Sequence, residues 1–157
     1  MREYMAIIKP ISNPVDSYDL LYKLCYYVTG EEGSVKRQYC FGRGINPDNA
    51  FQEILYMQQL FGKIDNRRAY HLTIDFSDQE CLSIQDAIEI GFELSNMFFP
   101  EYQVLFGVHG EHTGQDHLHL HFAINTVSLL GGRKLHLGFE LMNIIERRVD
   151  QLIEYYS

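Results

Sequence analysis

Cysteine is scarce in this chain. Cys25, Cys40 and Cys81 make an odd set with no CxxC pair. This argues against both a disulfide framework and a zinc ribbon, and for a reducing compartment. Long apolar runs are missing as well; none approaches the roughly 18 residues that a membrane span requires. The opening residues, MREYMAIIKP, have too short an apolar stretch and no small-residue cleavage site, so they do not read as a signal peptide. The expectation is a cytoplasmic protein without a membrane partner. No linker, internal repeat or low-complexity segment divides the 157 residues. A chain of that length is expected to form one domain that buries roughly 68–70% of its unfolded surface. At 46% hydrophobic and 22% charged residues, disorder and collagen-like repeats are excluded.

Positive charge is also in short supply. Thirteen Lys and Arg face 21 Asp and Glu, a net charge of −8. Taken alone, that disfavours nucleic acid, whose binding rests largely on neutralised phosphates. The bases that exist are grouped, however. Lys36, Arg37 and Arg43 fall in an acid-free stretch at 34–44, and Arg67-Arg68 and Arg133-Lys134 are two further pairs. A bound divalent cation would add positive charge that this count omits.

Periodicity supplies the elements. Residues 17–29 read as a helix, with Leu20, Leu21, Leu24, Cys25 and Val28 on one face, a cap at Asp16 or Ser17 and a stop at Gly30. Residues 48–61 and 139–156 read as two more amphipathic helices, and Ser83 begins another that runs to about Phe98. Strands are expected at 3–9, 35–42, 69–76, 102–109 and 117–127. In the third of these, Tyr70, Leu72, Ile74 and Phe76 alternate with His71, Thr73 and Asp75. The last two strands are too close in sequence for a crossover helix, so they should pair antiparallel. The fold class is therefore α+β: a mainly antiparallel sheet with helices packed on it.

Histidine is the abundant anomaly. Five of the seven histidines lie between 109 and 121: His109, His112, His117, His119 and His121. On a strand, His117, His119 and His121 share a face with Ala123 and Asn125, while Leu118, Leu120, Phe122 and Ile124 share the core face. Same-face neighbours sit roughly 6.5–7 Å apart. Two imidazoles at that spacing can converge on one ion, and a third ligand from the preceding strand end would leave open positions for water or substrate. Pure imidazole sets suit zinc, manganese, cobalt or nickel; a phosphodiester substrate favours Mg²⁺ or Mn²⁺.

The run His119-Leu120-His121-Phe122-Ala123-Ile124-Asn125, after a histidine ending an apolar strand, resembles the third motif of the plasmid mobilisation relaxases. These are HUH-type single-strand DNA endonucleases of the MobA/MobL group. The segment 69–76 is similar to their second motif, and Leu24-Cys25-Tyr26-Tyr27-Val28 resembles their first, where a tyrosine near a helix C-terminus is the nucleophile. The resemblance spans about residues 20–135. It implies an HUH-relaxase-like two-layer sandwich over 1–157, a single nuclease domain that is complete or the N-terminal part of a longer protein. It implies metal ligands at His119, His121 and a third histidine. The usual spacing selects His112, whereas the strand-end position and the His-x-acid pattern select His109 with Glu111; His109 is preferred.

The resemblance also implies chemistry. A tyrosine hydroxyl would attack a phosphodiester of single-stranded DNA at an origin-like site, leaving a 5′-phosphotyrosyl adduct, with auxiliary mobilisation proteins as further partners. A tyrosine pKa of about 10 makes the hydroxyl a weak nucleophile at neutral pH, so a divalent ion (Mg²⁺ or Mn²⁺, with Zn²⁺ as the alternative) would activate the phosphate. Between the two tyrosines, helical projection puts Tyr27 at the edge of the apolar stripe and Tyr26 almost opposite it, which favours Tyr27. Lys36, Arg37 and Arg43 are candidate DNA contacts. A rival reading takes the alternation 117–123 as that of the histidine-triad nucleotide hydrolases and transferases, in which His119 would attack a nucleoside phosphate. A second rival is a non-catalytic module that binds metal or nucleic acid.

Overall fold

The alternation of Leu118, Leu120, Phe122 and Ile124 with polar and small residues builds the middle of the molecule. In the computed structural model, which describes residues 7–11, 13–30, 39–76, 82–110 and 118–157, the sheet has five strands. They are β1 (Ile7–Pro10), β2 (Cys40–Arg43), β3 (Ala69–Asp75), β4 (Val104–His109) and β5 (His119–Asn125). The spatial order is β1-β3-β5-β4-β2, and every neighbouring pair is antiparallel. The two strands expected to pair do so: β4 and β5 are in register from Val104↔Ile124 to His109↔His119. Residues 3–6 and 35–38 of the expected strands lie outside the described residues. Pro10 lies within β1, an edge strand, where its missing N–H is tolerated.

Among the described residues four α-helices complete the fold: α1 (Tyr18–Thr29), α2 (Ala50–Leu60), α3 (Ile84–Phe98) and α4 (Phe139–Tyr156). Their ends follow local chemistry. The Ser17 side chain accepts from the Leu20 N–H, and Gly30 closes α1 at φ 74°. Ser83 and Asp86 form a capping box at the start of α3.

The antiparallel sheet with helices on it is as expected, but the helices occupy both of its faces, so the sandwich has three layers and not the expected two: both faces of the central strands carry apolar residues that need cover. On one face α3 and α4 pack Ile90, Leu94, Ile145 and Val149 against Leu72, Ile74, Phe106, Phe122 and Ile124. On the other face α1 and α2 pack Leu21, Leu24, Val28, Phe51 and Ile54 over the small or slim residues Ala69, Leu105 and Ala123. Leu20, expected in the α1 stripe, is 41% exposed instead, because α1 rests on the sheet through its 21/24/25/28 face. Gly107 lets α1 come close: a Cβ there would lie 2.4 Å from the Val28 carbonyl oxygen.

Candidate active site

The face of the sheet beneath α1 gathers the polar positions of three strands. β5 supplies His119 and His121, β4 supplies His109, and β3 supplies His71, Thr73 and Asp75. Register brings them together: His119 lies between His109 and Asp75, and His121 lies between Gly107 and Thr73. The last turn of α1 then lays Tyr27 over the group. Its ring centre is 4.9 Å from that of His121, 5.4 Å from that of His109 and 5.9 Å from that of His71. The Tyr27 hydroxyl stands 3.5 Å from His121 Nε2.

The imidazoles are oriented by partners on β3. His119 Nδ1 lies 3.0 Å from Asp75 Oδ1. An ionised carboxylate only accepts, so Nδ1 carries the proton and Nε2 keeps its lone pair. His121 Nδ1 lies 3.1 Å from His71 Nε2. Burial pushes His71 down to about 4. Burial, followed by the neighbouring His109, His71 and His119, pushes His121 down to about 2. Both rings are therefore neutral at neutral pH, the form in which imidazole binds metal.

Among the described residues, no three His, Cys, Asp or Glu side chains already converge as a metal site. The donor chemistry nevertheless fits a divalent ion. Three imidazoles holding one ion at about 2.1 Å keep their ring centres roughly 4.5–5.5 Å apart. The His109–His121 pair stands at 4.3 Å, His119–His121 at 5.8 Å and His109–His119 at 6.2 Å. Small ring rotations on a fixed sheet would close that difference.

Not every candidate from the sequence arrives here. Tyr26 points away, stacked on Tyr22 at 5.9 Å. Arg43 does not reach the cluster. It pairs with Val104 at the far end of β4, and its guanidinium donates to Asn96 Oδ1 (2.5 Å) and the Phe99 carbonyl (3.2 Å) on the α3 side. Strand alternation sends its side chain to the opposite face. Lys36, Arg37, Glu111 and His112 lie outside the described residues.

Three participants went unassigned in the sequence. Asp75 shares the polar face of its strand with His71, and that alternation was the signal for it. Gly107 gave no signal, because its role depends on where α1 lies. Asn125 has a structural role on the shared face. Fully buried, it donates through Nδ2 to Gln103 Oε1 (2.9 Å) and accepts through Oδ1 from Gln58 Nε2 (2.9 Å) and the Val127 N–H (3.0 Å).

Known proteins are similar to this chain. Residues 27–157 match the family model described as "Relaxase: MobA/VirD2-like, nuclease domain". Two proteins of Staphylococcus aureus named "Protein rlx" are similar. One is 33% identical over 113 residues, covering 71% of this chain and 34% of the relative. The other is 27% identical over 111 residues, covering 69% and 34%. The chain thus spans about a third of the length of these curated relatives. A solved structure described as "Molecular Basis of Vancomycin Resistance Transfer in Staphylococcus aureus" superposes with a TM-score of 0.63 over 98% of this chain and 92% of that one, at 10% identity. At that identity the likeness speaks for the fold alone.

Proposed function

The chain belongs to the MobA/VirD2-like relaxase nuclease-domain family, and from that premise we propose that it nicks single-stranded DNA at an origin of transfer through a covalent Tyr27 intermediate. The observation that carries the reading is the Tyr27 hydroxyl, 3.5 Å from His121 Nε2 above a cluster that also contains His109 and His119. Family membership replaces the histidine-triad alternative.

In the proposed reaction Tyr27 Oη forms a bond to phosphorus while the bond from phosphorus to the 3′ oxygen breaks. The phenolic proton leaves to solvent, and the departing oxygen takes a proton to become a free 3′-hydroxyl. The phosphodiester energy is kept in the tyrosyl ester, so rejoining needs no ATP. A divalent ion held by His109, His119 and His121, Mg²⁺ or Mn²⁺ by preference and Zn²⁺ by donor chemistry, would polarise the scissile phosphate and offset charge on its non-bridging oxygens. Asp75 holds the His119 ring and His71 holds the His121 ring, so two of the three donors are aimed before DNA arrives. The ring of Tyr27 is half-buried against the imidazoles, which fixes its hydroxyl in place.

The test is mass spectrometry of the product formed with Mn²⁺ and a single strand carrying the nick site. A phosphotyrosyl peptide containing Tyr27 is expected. Tyr27→Phe should abolish it with little change in unfolding temperature, because the ring and its packing stay. Free DNA ends without an adduct, or an adduct on Tyr26, would overturn the mechanism or the residue. Binding of Mn²⁺ and DNA without cleavage would return the chain to a non-catalytic module.

A further inference from the structure

The basic pairs Arg67-Arg68 and Arg133-Lys134 are distant in sequence, and the fold joins them at the end of the sheet remote from the imidazoles. Val127 and Lys134 form an antiparallel bridge. The Leu135 N–H donates to the Thr126 carbonyl (2.7 Å), and the Thr126 N–H donates to the Arg68 carbonyl (3.4 Å). Lys134 Nζ donates to the Arg67 carbonyl (2.7 Å), and Lys63 Nζ, just past α2, donates to the Gly132 carbonyl (2.5 Å). Arg67 lies with its guanidinium carbon 4.6 Å above the centre of the Tyr70 ring, a cation–π contact that holds it in place. Arg68 is buried and donates through Nε to Gln58 Oε1 (2.5 Å).

Five cations therefore meet at one end of an acidic protein. Asp65 acts on Arg68 and Lys134, and Glu101 stands 3.5 Å from the largely exposed Arg133. Such an exposed pair stabilises little. Lys134 is held below its usual range by burial, with Arg68 and Lys63 adding to the effect and Asp65 opposing it. The repulsion among these bases is a cost of folding them together, and an anion would relieve it. Because three separate chain segments carry the charges over a surface, the arrangement suits a repeating polyanion better than a single ion.

We infer that this end of the sheet is a second DNA contact, a surface that binds backbone phosphates of the strand away from the scissile bond. The inference rests on the nuclease reading above. His119 and Asn125 are the two ends of β5, which separates the two surfaces by about 20 Å along the strand. A continuous single strand that touches both must extend over several nucleotides. Arg67 and Arg133 are the groups that present charge outward, whereas Lys63, Arg68 and Lys134 also brace the chain.

The experiment compares salt-dependent binding of a fluorescein-labelled oligo-dT of roughly 30 nucleotides. Arg67→Gln/Arg133→Gln should weaken binding about tenfold at low salt and lower the log–log salt slope by about 1 to 1.5. Arg147→Gln/Arg148→Gln on α4 removes the same charge elsewhere and should change binding little. Equal losses from both double variants would show a general field effect and overturn the site, as would no loss from the first. Inorganic phosphate that competes far better than chloride at equal ionic strength would mean a discrete ion site, which also overturns it. If the unaltered chain forms no adduct, the nuclease reading fails, while the binding comparison still decides this surface.

Discussion

Two imidazoles of the cluster have lost most of their affinity for protons, and that loss has a sign. Burial holds His71 down to about 4, and burial with the neighbouring histidines holds His121 down to about 2, against about 6.5 when unfolded. Between these values the unfolded chain binds more protons, so stability falls as pH drops below about 6.5 and continues to fall through about 4. The expected loss from His71 is on the order of 3 kcal/mol between pH 7 and pH 4. Urea unfolding across that range should show it, and His71→Gln should flatten the curve; an unchanged slope would contradict the burial argument. The Asp75–His119 pair sets a second expectation. Asp75→Ala removes the acceptor that fixes the His119 ring and should weaken Mn²⁺ binding about 10- to 100-fold in calorimetry. Stability should hardly move, because Asp75 is partly exposed.

At the scale of elements, the site depends on how closely α1 approaches the sheet. Gly107→Ala would drive a methyl group into the Val28 carbonyl, one residue beyond Tyr27. A loss of about 1–3 kcal/mol is expected, with a fall in adduct yield beyond what stability explains. Gly91→Ala makes a similar clash with the Phe106 ring on the opposite face. It should cost comparable stability and leave adduct yield per folded molecule intact. Equal effects on yield would show that α1 is not the positioning element. Helices and strands were largely legible in the sequence, because period-2 and period-3.6 patterns report which face is buried. Gly107 and the Gln58–Asn125–Gln103 network were not legible, since each acquires meaning only when two elements meet. The position of Arg43 was hidden for the same reason: its charge was visible, but the face it occupies was not.

At the scale of the whole molecule, net charge and charge placement point in different directions. The total of −8 predicts weak association with DNA, and the phosphate contacts of the grouped bases predict that it falls steeply with salt, so an affinity measured near physiological ionic strength should be much lower than one at low salt. A flat salt dependence would show that phosphate contacts do not dominate. The motif order was legible along the chain and pointed to the family. Strand order was not: nothing in the sequence places β5 at the centre between β3 and β4. The alternation of β3 already let His71 line the same cleft as the histidine-rich run, but it did not reveal that Asp75 would hold His119 from the neighbouring strand.

The pairing His109↔His119 across the β4–β5 ladder makes the cluster sensitive to the parity of insertions. Residues added between Gly110 and Leu118 leave both strands in register, so any number of them keeps His109 opposite His119. A single residue added between His119 and His121 is different. It exchanges the two sides of the rest of β5, driving the His121 imidazole toward the α3–α4 core and the Phe122 ring toward Tyr27. Relatives with connections of unequal length can therefore keep the same cluster, while the His-x-His spacing tolerates no odd change.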